Sequence, residues 1–525
     1  MKHNSSSPGT VARPSGQRFG VTLSICAIIY LPSLFWTLGL DQNIFAEIAS
    51  LLLRGKTLYV DAWDVKPPNI FYTYALFEWI FGQHEFAVRL SDYLFTLLAC
   101  SALFVGVDRQ ASVMPDRLCS WAAPIATVLL ALTLLSLGLS DTAQTESYSL
   151  FFIIAGAVLA FQNRTLLLLL GGVAIGNAAF YKTTNTLFLV SIAIEIVLLH
   201  KGRAVRPLLL IAAGFILWCI LQFGLLAWQG SLAEYLSITF NVFQHHSQEV
   251  SQFRPMDLIR TIWIYANVWL LLALAASVLA AVRKDWSFFR SVRLPVMFLL
   301  AGLLAVALQN KGWGYQYVIV LPGLVASIGL ALAYGTYKTH WTNGIRTHVV
   351  TALLCAVAFA VSPSIRRAAS HTRESTVALR DRDRYLASLG QPHSLYYPPG
   401  TEALSAYIQS HTAATDRVFI FGEEPGAYWR SGREPATRFV YALLFTSGVI
   451  PSGDLAAIGD TIAGTKPRLV IVERYDTLMF RGRPETSVSL LESDTIFRSL
   501  AWVLKTEYAA ADTVRDNFII YRRKD

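Results

Sequence analysis

Long apolar runs recur along this sequence, and they constrain its fold more than any other feature. They fall at roughly 21–40, 86–106, 120–139, 147–161, 166–181, 186–200, 207–228, 261–282, 294–309, 318–335 and 348–363. Crossing a hydrocarbon layer about 30 Å thick takes about 20 apolar residues of helix, so the pattern reads as about eleven transmembrane helices. Several runs are shorter than that and would be strained against the bilayer thickness. Composition agrees, because a chain of 525 residues that is 54% hydrophobic and 15% charged cannot cover a soluble surface. The first run, Val21 to Leu40, exceeds a signal-peptide core and lacks a small-residue cleavage site, so it is read as a retained span.

A formal charge of +9 raises nucleic acid as a partner, but the basic residues are dispersed in short clusters between apolar runs. If the spans alternate, Arg13 and Arg18, Arg109 and Arg117, Arg164, Lys201 with Arg203 and Arg206, Arg283 to Arg293, and Lys338 with Arg346 share one side. The positive-inside rule makes that side the cytoplasm, so nucleic acid is set aside. An odd number of spans then puts the N-terminal segment 1–20 inside and the tail from Pro363 outside. The five cysteines (Cys26, Cys100, Cys119, Cys219 and Cys355) lie in or beside apolar runs and show no disulfide framework or CxxC site.

Residues 41–85 form an outward loop on this reading. "NIFAEIASLLLRG" carries Ile44, Phe45, Ile48, Leu51 and Leu52 at helical spacing with Gly55 to end it, which predicts an amphipathic interfacial helix. The stretch 68–82 is short for a span, and crossing there would move Arg109 and Arg117 outward. It is read as a second interfacial helix, with a short genuine span as the alternative. In the tail, "DRVFIFG" (416–422), "RFVYALLF" (438–445), "PRLVIVERY" (467–475) and "NFIIYRR" (517–523) read as buried strands among helical stretches. The division is therefore a transmembrane domain over 21–363, with the loop 41–85, and an extracytoplasmic α/β domain over 364–525.

The outward loops hold most of the ionisable residues that invite chemistry. Asp41 follows the first span; Asp61, Asp64 and Lys66 follow the amphipathic helix; Asp141 and Glu146 precede the fourth span. Lys182 lies between two short spans, where an ionisable group is a functional candidate by default. Pro67 keeps Lys66 out of helical geometry, and Pro68 suits a first helical turn, so the lysine stands just ahead of a helix N-terminus. That place favours an anion, and at an interface the natural anion is a lipid phosphate. The competing reading is a lysine that snorkels to any headgroup. Asp41 also reads as an N-cap and Glu146 as a solvated residue at a helix start. His245 and His246 are a weak metal motif.

The segment "DQNIFAEIASLLLRGKTLYVDAWDVKPPNIFYTYALFEWIFGQHEFAVRLSDYL" (41–94) resembles the first loop of GT-C glycosyltransferases of the glycosyltransferase 39 type. The shared pattern is an acid after the first span, G-x-x-x-Y-x-D, K-P-P, then G and A-x-R-L. "TES" (145–147), "FYKTTN" (180–185), "GWGYQYVIVLPGL" (312–324) and "DRVFIFGEEPGAYWRSGREPATRF" (416–439) resemble later parts of that family, the last the periplasmic domain of its bacterial members. The resemblance implies a bacterial inner-membrane enzyme with a periplasmic C-terminal domain. Such an enzyme moves a hexosyl or pentosyl group from a polyprenyl-phosphate donor, with inversion, to a lipid A or lipopolysaccharide, glycan or protein acceptor. It implies Asp41 as the catalytic base, Lys66 as the donor-phosphate ligand with Lys182 as a helper, and Glu146 and Asp61 as acids of the donor site. Many members carry two adjacent acids where this chain has Asp41 and Gln42, so a divalent metal is left open. A transporter or lipid flippase is the rival, although no internal repeat is visible.

Overall fold

The computed structural model of the chain describes residues 16–112, 114, 120–248, 255–338, 362–391, 394, 396–446, 450, 452–474, 491 and 497–524. It is a polytopic α-helical membrane protein with a small sheet domain on one end. Helix α1 (Gly16–Tyr30) runs into a 3-10 turn, Leu31–Phe35, where Pro32 ends regular α-helix. Two short helices follow, α2 (Leu40–Leu53) and α3 (Asn69–Phe81). Then come α4 (Glu85–Ala111), α5 (Ala122–Leu137), α6 (Thr145–Ala160), α7 (Thr165–Ala179), α8 (Leu187–His200) and α9 (Val205–Trp228). The helical part closes with α10 (Leu232–Gln248), α11 (Pro255–Val282), α12 (Trp286–Gln309) and α13 (Leu321–Lys338).

Among the described residues, six helical segments are long and apolar enough to cross a membrane: Gly16–Phe35, Glu85–Ala111, Thr183–His200, Val205–Trp228, Trp286–Gln309 and Gly314–Gly335. Shorter apolar helices cover Ala122–Leu137, Thr145–Ala160, Thr165–Ala179 and Trp269–Val282. The last apolar run of the sequence, 348–363, lies almost wholly outside the described residues. Lipid does not drive apolar helices together, so close backbone approach has to. Helices α7 and α9 show it: a Cβ on Gly172 would stand 1.9 Å from the Ile211 carbonyl oxygen, and one on Gly214 2.0 Å from that of Leu169. A bidentate charge pair also joins two of the helices, Arg293 of α12 donating to both oxygens of Glu195 of α8 at 2.6 and 2.7 Å.

The predicted amphipathic helix forms as α2, ending before Gly55 at φ +84°, but no polar face of it meets water. Gln42, Asn43, Glu47 and Ser50 are all buried, because helix Pro425–Ser431 of the tail packs on α2 from one side and α3 from the other. Helix α3 keeps Leu76, Trp79, Ile80 and Phe81 exposed.

The sheet has five strands in the order β2-β1-β3-β5-β4, namely β1 (Arg417–Phe421), β2 (Glu434–Pro435), β3 (Leu469–Glu473), β4 (Tyr508–Val514) and β5 (Phe518–Arg523). β1 pairs in parallel with β2 and β3, and β5 pairs antiparallel with β3 and β4. Alternation sorts the side chains: Val418, Ile420, Leu469 and Ile471 pack under helix Pro398–His411. Phe419, Phe421, Val470 and Val472 belong to the same core as Phe45, Ile48, Phe71 and Tyr74 of α2 and α3. The sheet thus shares its core with the outward loop.

One expected strand is corrected. "RFVYALLF" contributes only a single bridge, Phe439 with Trp63, before turning into helix Leu443–Thr446. Its backbone is spent on other segments, the Trp63 N–H donating to the Arg438 carbonyl at 2.9 Å and the Ala442 N–H to that of Gly422 at 3.0 Å. The tail also begins as part of the helical body: in helix Pro363–Arg380, Ser375 donates to the Pro32 carbonyl and the His371 ring stands edge-on to Trp36.

Candidate functional site

Asp41 stands in the first turn of α2, two positions past the N-cap Gly39, and is not itself the cap. The next residue fixes where that turn sits. The Gln42 amide donates to the carbonyls of Leu139, Ser140 and Thr142 at 3.0, 3.1 and 2.6 Å, stitching α2 to the loop 138–144. Fully buried Arg89 of α4 grips the same loop, donating to the Leu139 carbonyl, to Thr142 Oγ1 and to the Thr37 carbonyl at the end of the first span. Asp92, one turn on, accepts from the Ala143 N–H at 2.9 Å. With these supports the Gln144 amide reaches Asp41 Oδ2 at 3.2 Å.

Lys66 is fixed through its backbone. Asp64 Oδ1 accepts from the Lys66 N–H at 2.7 Å, an Asx turn, and the Tyr59 hydroxyl donates to the Lys66 carbonyl at 2.9 Å. Pro68 is the N-cap of α3. The first residue of that helix then joins it to α7, the Asn69 N–H donating to the Phe180 carbonyl at 3.2 Å and its amide to Asn177 Oδ1 at 2.9 Å. Lys182 follows two residues after Phe180, so this junction brings the two lysines together.

They meet on one ring. The Lys66 ammonium lies 5.3 Å and the Lys182 ammonium 5.6 Å from the centroid of Tyr315, and Lys66 Nζ is 3.5 Å from the Tyr315 hydroxyl. Lys182 is paired with Glu146 Oε1, and Glu146 Oε2 accepts from Thr145 at 2.6 Å. Lys66 has no such carboxylate bonded to its ammonium among the described residues; Asp41, Glu146 and Asp64 act on it through space. Burial opposes its charge, but Tyr315 and those three acids outweigh it, so its pKa is raised. Burial, aided by the charge of Lys66, lowers the pKa of Lys182 against the pull of Glu146. Tyr315 itself is set by close packing: a Cβ on Gly314 would lie 2.4 Å from Asp141 Oδ2. Burial pushes the Asp141 carboxyl up to about 6, with the charges of Asp41 and Glu146 adding to it.

The structure therefore gathers Asp41, Lys66, Glu146 and Lys182 into one electrostatically connected cluster. Asp61 stands apart. It is exposed and closes a turn, accepting from the Thr57 N–H at 2.8 Å. It lines a separate cleft of about 330 Å³ with Lys56, Arg417, Glu434, Arg438 and Asp454. The side chains of His245 and His246 lie outside the described residues. Among the described residues no three His, Cys, Asp or Glu side chains could hold a metal ion, and the Gln42 amide that replaces a second acid is committed to backbone carbonyls.

Sequence reasoning passed over Tyr315 and Gln144. Tyr315 sits in the aromatic stretch 312–324, where nothing local marks one tyrosine from the next. Gln144 is the N-cap residue of α6 just before the acid Glu146, a position that could have drawn notice.

No protein-family profile and no curated protein sequence matches the chain. Solved structures do. ArnT from Cupriavidus metallidurans superposes with a TM-score of 0.58 in its apo state, at 12% identity over 96% of this chain and 97% of that one. The same protein bound to undecaprenyl phosphate gives a TM-score of 0.56 at the same identity and coverage. The Archaeoglobus fulgidus oligosaccharyltransferase tethered to an acceptor peptide gives 0.55 at 13% identity, over 97% of this chain and 74% of that one. The chain has the GT-C fold of these membrane proteins.

Proposed function

We propose that this protein is a membrane glycosyltransferase that moves a hexosyl or pentosyl group from a polyprenyl-phosphate donor to an acceptor on the outer face of the membrane. The observation that carries the reading is the sharing of Tyr315 by Lys66 and Lys182 beside Asp41. Two ammonium groups around one ring offer a seat for a phosphate, and one of them stands on the loop between α2 and α3. The GT-C fold supports the same reading, as do the undecaprenyl phosphate named with ArnT and the acceptor peptide named with the oligosaccharyltransferase.

In the reaction, the acceptor hydroxyl or amine attacks the anomeric carbon while Asp41 accepts its proton. The bond from anomeric carbon to phosphate oxygen breaks, the electron pair leaves with the phosphate, and inversion follows from attack opposite the leaving group. Lys66 and Lys182 neutralise the charge that gathers there, with Glu146 holding Lys182 in place. No step is routed through a metal. The dispersed basic residues support an orientation with the N-terminus in the cytoplasm and the sheet domain outside, periplasmic in a bacterium. Lipid A or lipopolysaccharide, a glycan and a protein are the acceptor classes this chemistry admits.

The test is to incubate the purified protein with a labelled polyprenyl-phosphate sugar and candidate acceptors. A transferase releases polyprenyl phosphate and labels the acceptor. A flippase or transporter moves the lipid and leaves the glycosyl bond intact, which would end the proposal.

A further inference from the structure

We propose that Tyr441 of the C-terminal domain is a positioning residue of the transfer site, acting through Asp64 on Lys66. The inference rests on the donor-binding role given to Lys66 above. The Tyr441 hydroxyl donates to Asp64 Oδ2 at 3.0 Å, across 377 positions of sequence, and the other oxygen of Asp64 accepts from the Lys66 N–H at 2.7 Å. The carboxylate is thus a two-ended clamp with the donor-side lysine at one end and the sheet domain at the other. The two side chains that hold the Lys66 backbone, Asp64 and Tyr59, and the Tyr441 behind Asp64 all sit in cramped places. Asp64 and Tyr441 are buried, and Tyr59 sits at φ +69° with its ring against Tyr235 at 5.2 Å.

The tail segment that carries Tyr441 is itself registered on the loop. Phe439 bridges Trp63 and stacks edge-on to it at 5.4 Å, one residue before Asp64. Arg438 anchors the same segment, donating to Glu234 of α10 at 2.9 Å and to Asp454 at 2.7 Å. A shift of the sheet domain would therefore be felt at Asp64, and through it at the lysine that meets the phosphate.

The charged and titratable groups facing Asp64 are Lys66 and Tyr59 of its own loop, Tyr441 of the tail and Asp41 of α2. Burial pushes the Asp64 carboxyl up to about 6, and the bonds from Lys66 and Tyr441 pull it back down. Protonation removes the acceptor that holds the Lys66 backbone. Binding of the donor phosphate should therefore weaken as pH falls through that value. Losing the Tyr441 bond makes the proton bind Asp64 more tightly and moves the weakening to higher pH.

The experiment measures the affinity of the detergent-solubilised full chain for undecaprenyl phosphate between about pH 5 and 9, for the native protein, Tyr441→Phe and Asp64→Asn. The phosphate monoester has a second ionisation of its own near pH 6, common to all three curves, so the differences between them report on Asp64. Tyr441→Phe is expected to bind about two- to tenfold more weakly at pH 7 and to recover toward native affinity at pH 9. Asp64→Asn keeps an acceptor oxygen and cannot titrate, so its curve should reduce to that of the ligand. A Tyr441→Phe curve that overlays the native one, or an Asp64→Asn curve with the native pH dependence, would overturn the inference. If Tyr441→Phe does not fold, the Asp64→Asn curve decides alone. Failure of the native chain to bind undecaprenyl phosphate at any pH would instead remove the function on which the inference rests.

Discussion

The ammonium groups of Lys66 and Lys182 share the ring of Tyr315, at 5.3 and 5.6 Å from its centroid, although 115 residues of sequence lie between them. Two like charges gather around one aromatic face only when an anion is meant to come between them or when acids already balance them. Here Glu146 pairs with Lys182, while Asp41, Glu146 and Asp64 act on Lys66 only through space; on the proposed function Lys66 is the group that meets the donor phosphate.

Replacing Lys66 with Ala should weaken binding of polyprenyl phosphate by about 1.5–3 kcal/mol, the range for a hydrogen bond to a charged group. Tyr315→Phe keeps the ring and loses only the hydroxyl, so the drop should be smaller. Equilibrium binding of the phosphate lipid without sugar checks both.

Asp41→Asn should leave donor affinity within a few-fold of native and cut sugar transfer by roughly 10²–10⁴, the usual contribution of a general base. Single-turnover transfer measured beside binding separates the two effects. Equal loss of both would deny Asp41 a role in proton transfer.

Gly314→Ala places a Cβ 2.4 Å from Asp141 Oδ2 and 2.9 Å from its Cγ. The displaced Tyr315 should impair donor binding by about 1–3 kcal/mol, the range for overpacking a tight site. Asp141→Gly in the same chain should restore part of the loss.

Glu78 of α3 is buried, accepting at one oxygen from Trp429 Nε1 at 3.0 Å. Burial raises its pKa from 4.5 to about 8. The folded protein therefore holds a proton that the unfolded chain releases, and stability falls as pH rises through that window. Glu78→Gln removes the penalty and can keep the bond to Trp429. It should stabilise the chain at pH 8 by about 1–3 kcal/mol and leave it unchanged at pH 4, read by thermal unfolding.

Glu85 binds two tail arginines at once, Arg382 and Arg430, each a partly exposed partner. Glu85→Gln leaves both cations short of an acceptor where the tail meets the start of α4. The loss should be about 1–3 kcal/mol, smaller than for a fully buried pair. Limited proteolysis of the tail should quicken accordingly.

The sequence showed what depends on local pattern. Hydrophobic length announced the spans, Gly55 announced the end of α2, and Lys66-Pro67-Pro68 announced a lysine just ahead of a helix. Strands β1 and β3 were legible because both of their faces are buried, which leaves unbroken apolar runs. Strand β4 was not, since its residues between Tyr508 and Val514 are exposed and give no apolar signal. "RFVYALLF" misled for the converse reason: its aromatics fill a core shared with α2 and α3, and burial without a ladder looks like a strand in one dimension. Asp61 entered the site through the resemblance alone, as the aspartate of G-x-x-x-Y-x-D, whereas the turn it closes at Thr57 directs its side chain elsewhere. Tyr441 had no signal, because its partner lies in another part of the chain.

The bridge between Trp63 and Phe439 has a consequence for how the protein is made. A ribosome releases the first of these residues long before the second, so every nascent chain passes through a stage in which the early helices are already inserted and Lys66 lacks its outside brace. A chain cut short before the sheet would keep its early apolar helices yet lack both the Trp63–Phe439 bridge and the Tyr441 bond to Asp64. Translation thus acts as a timer: the loop that carries Lys66 is braced only after residues 438–441 have been made.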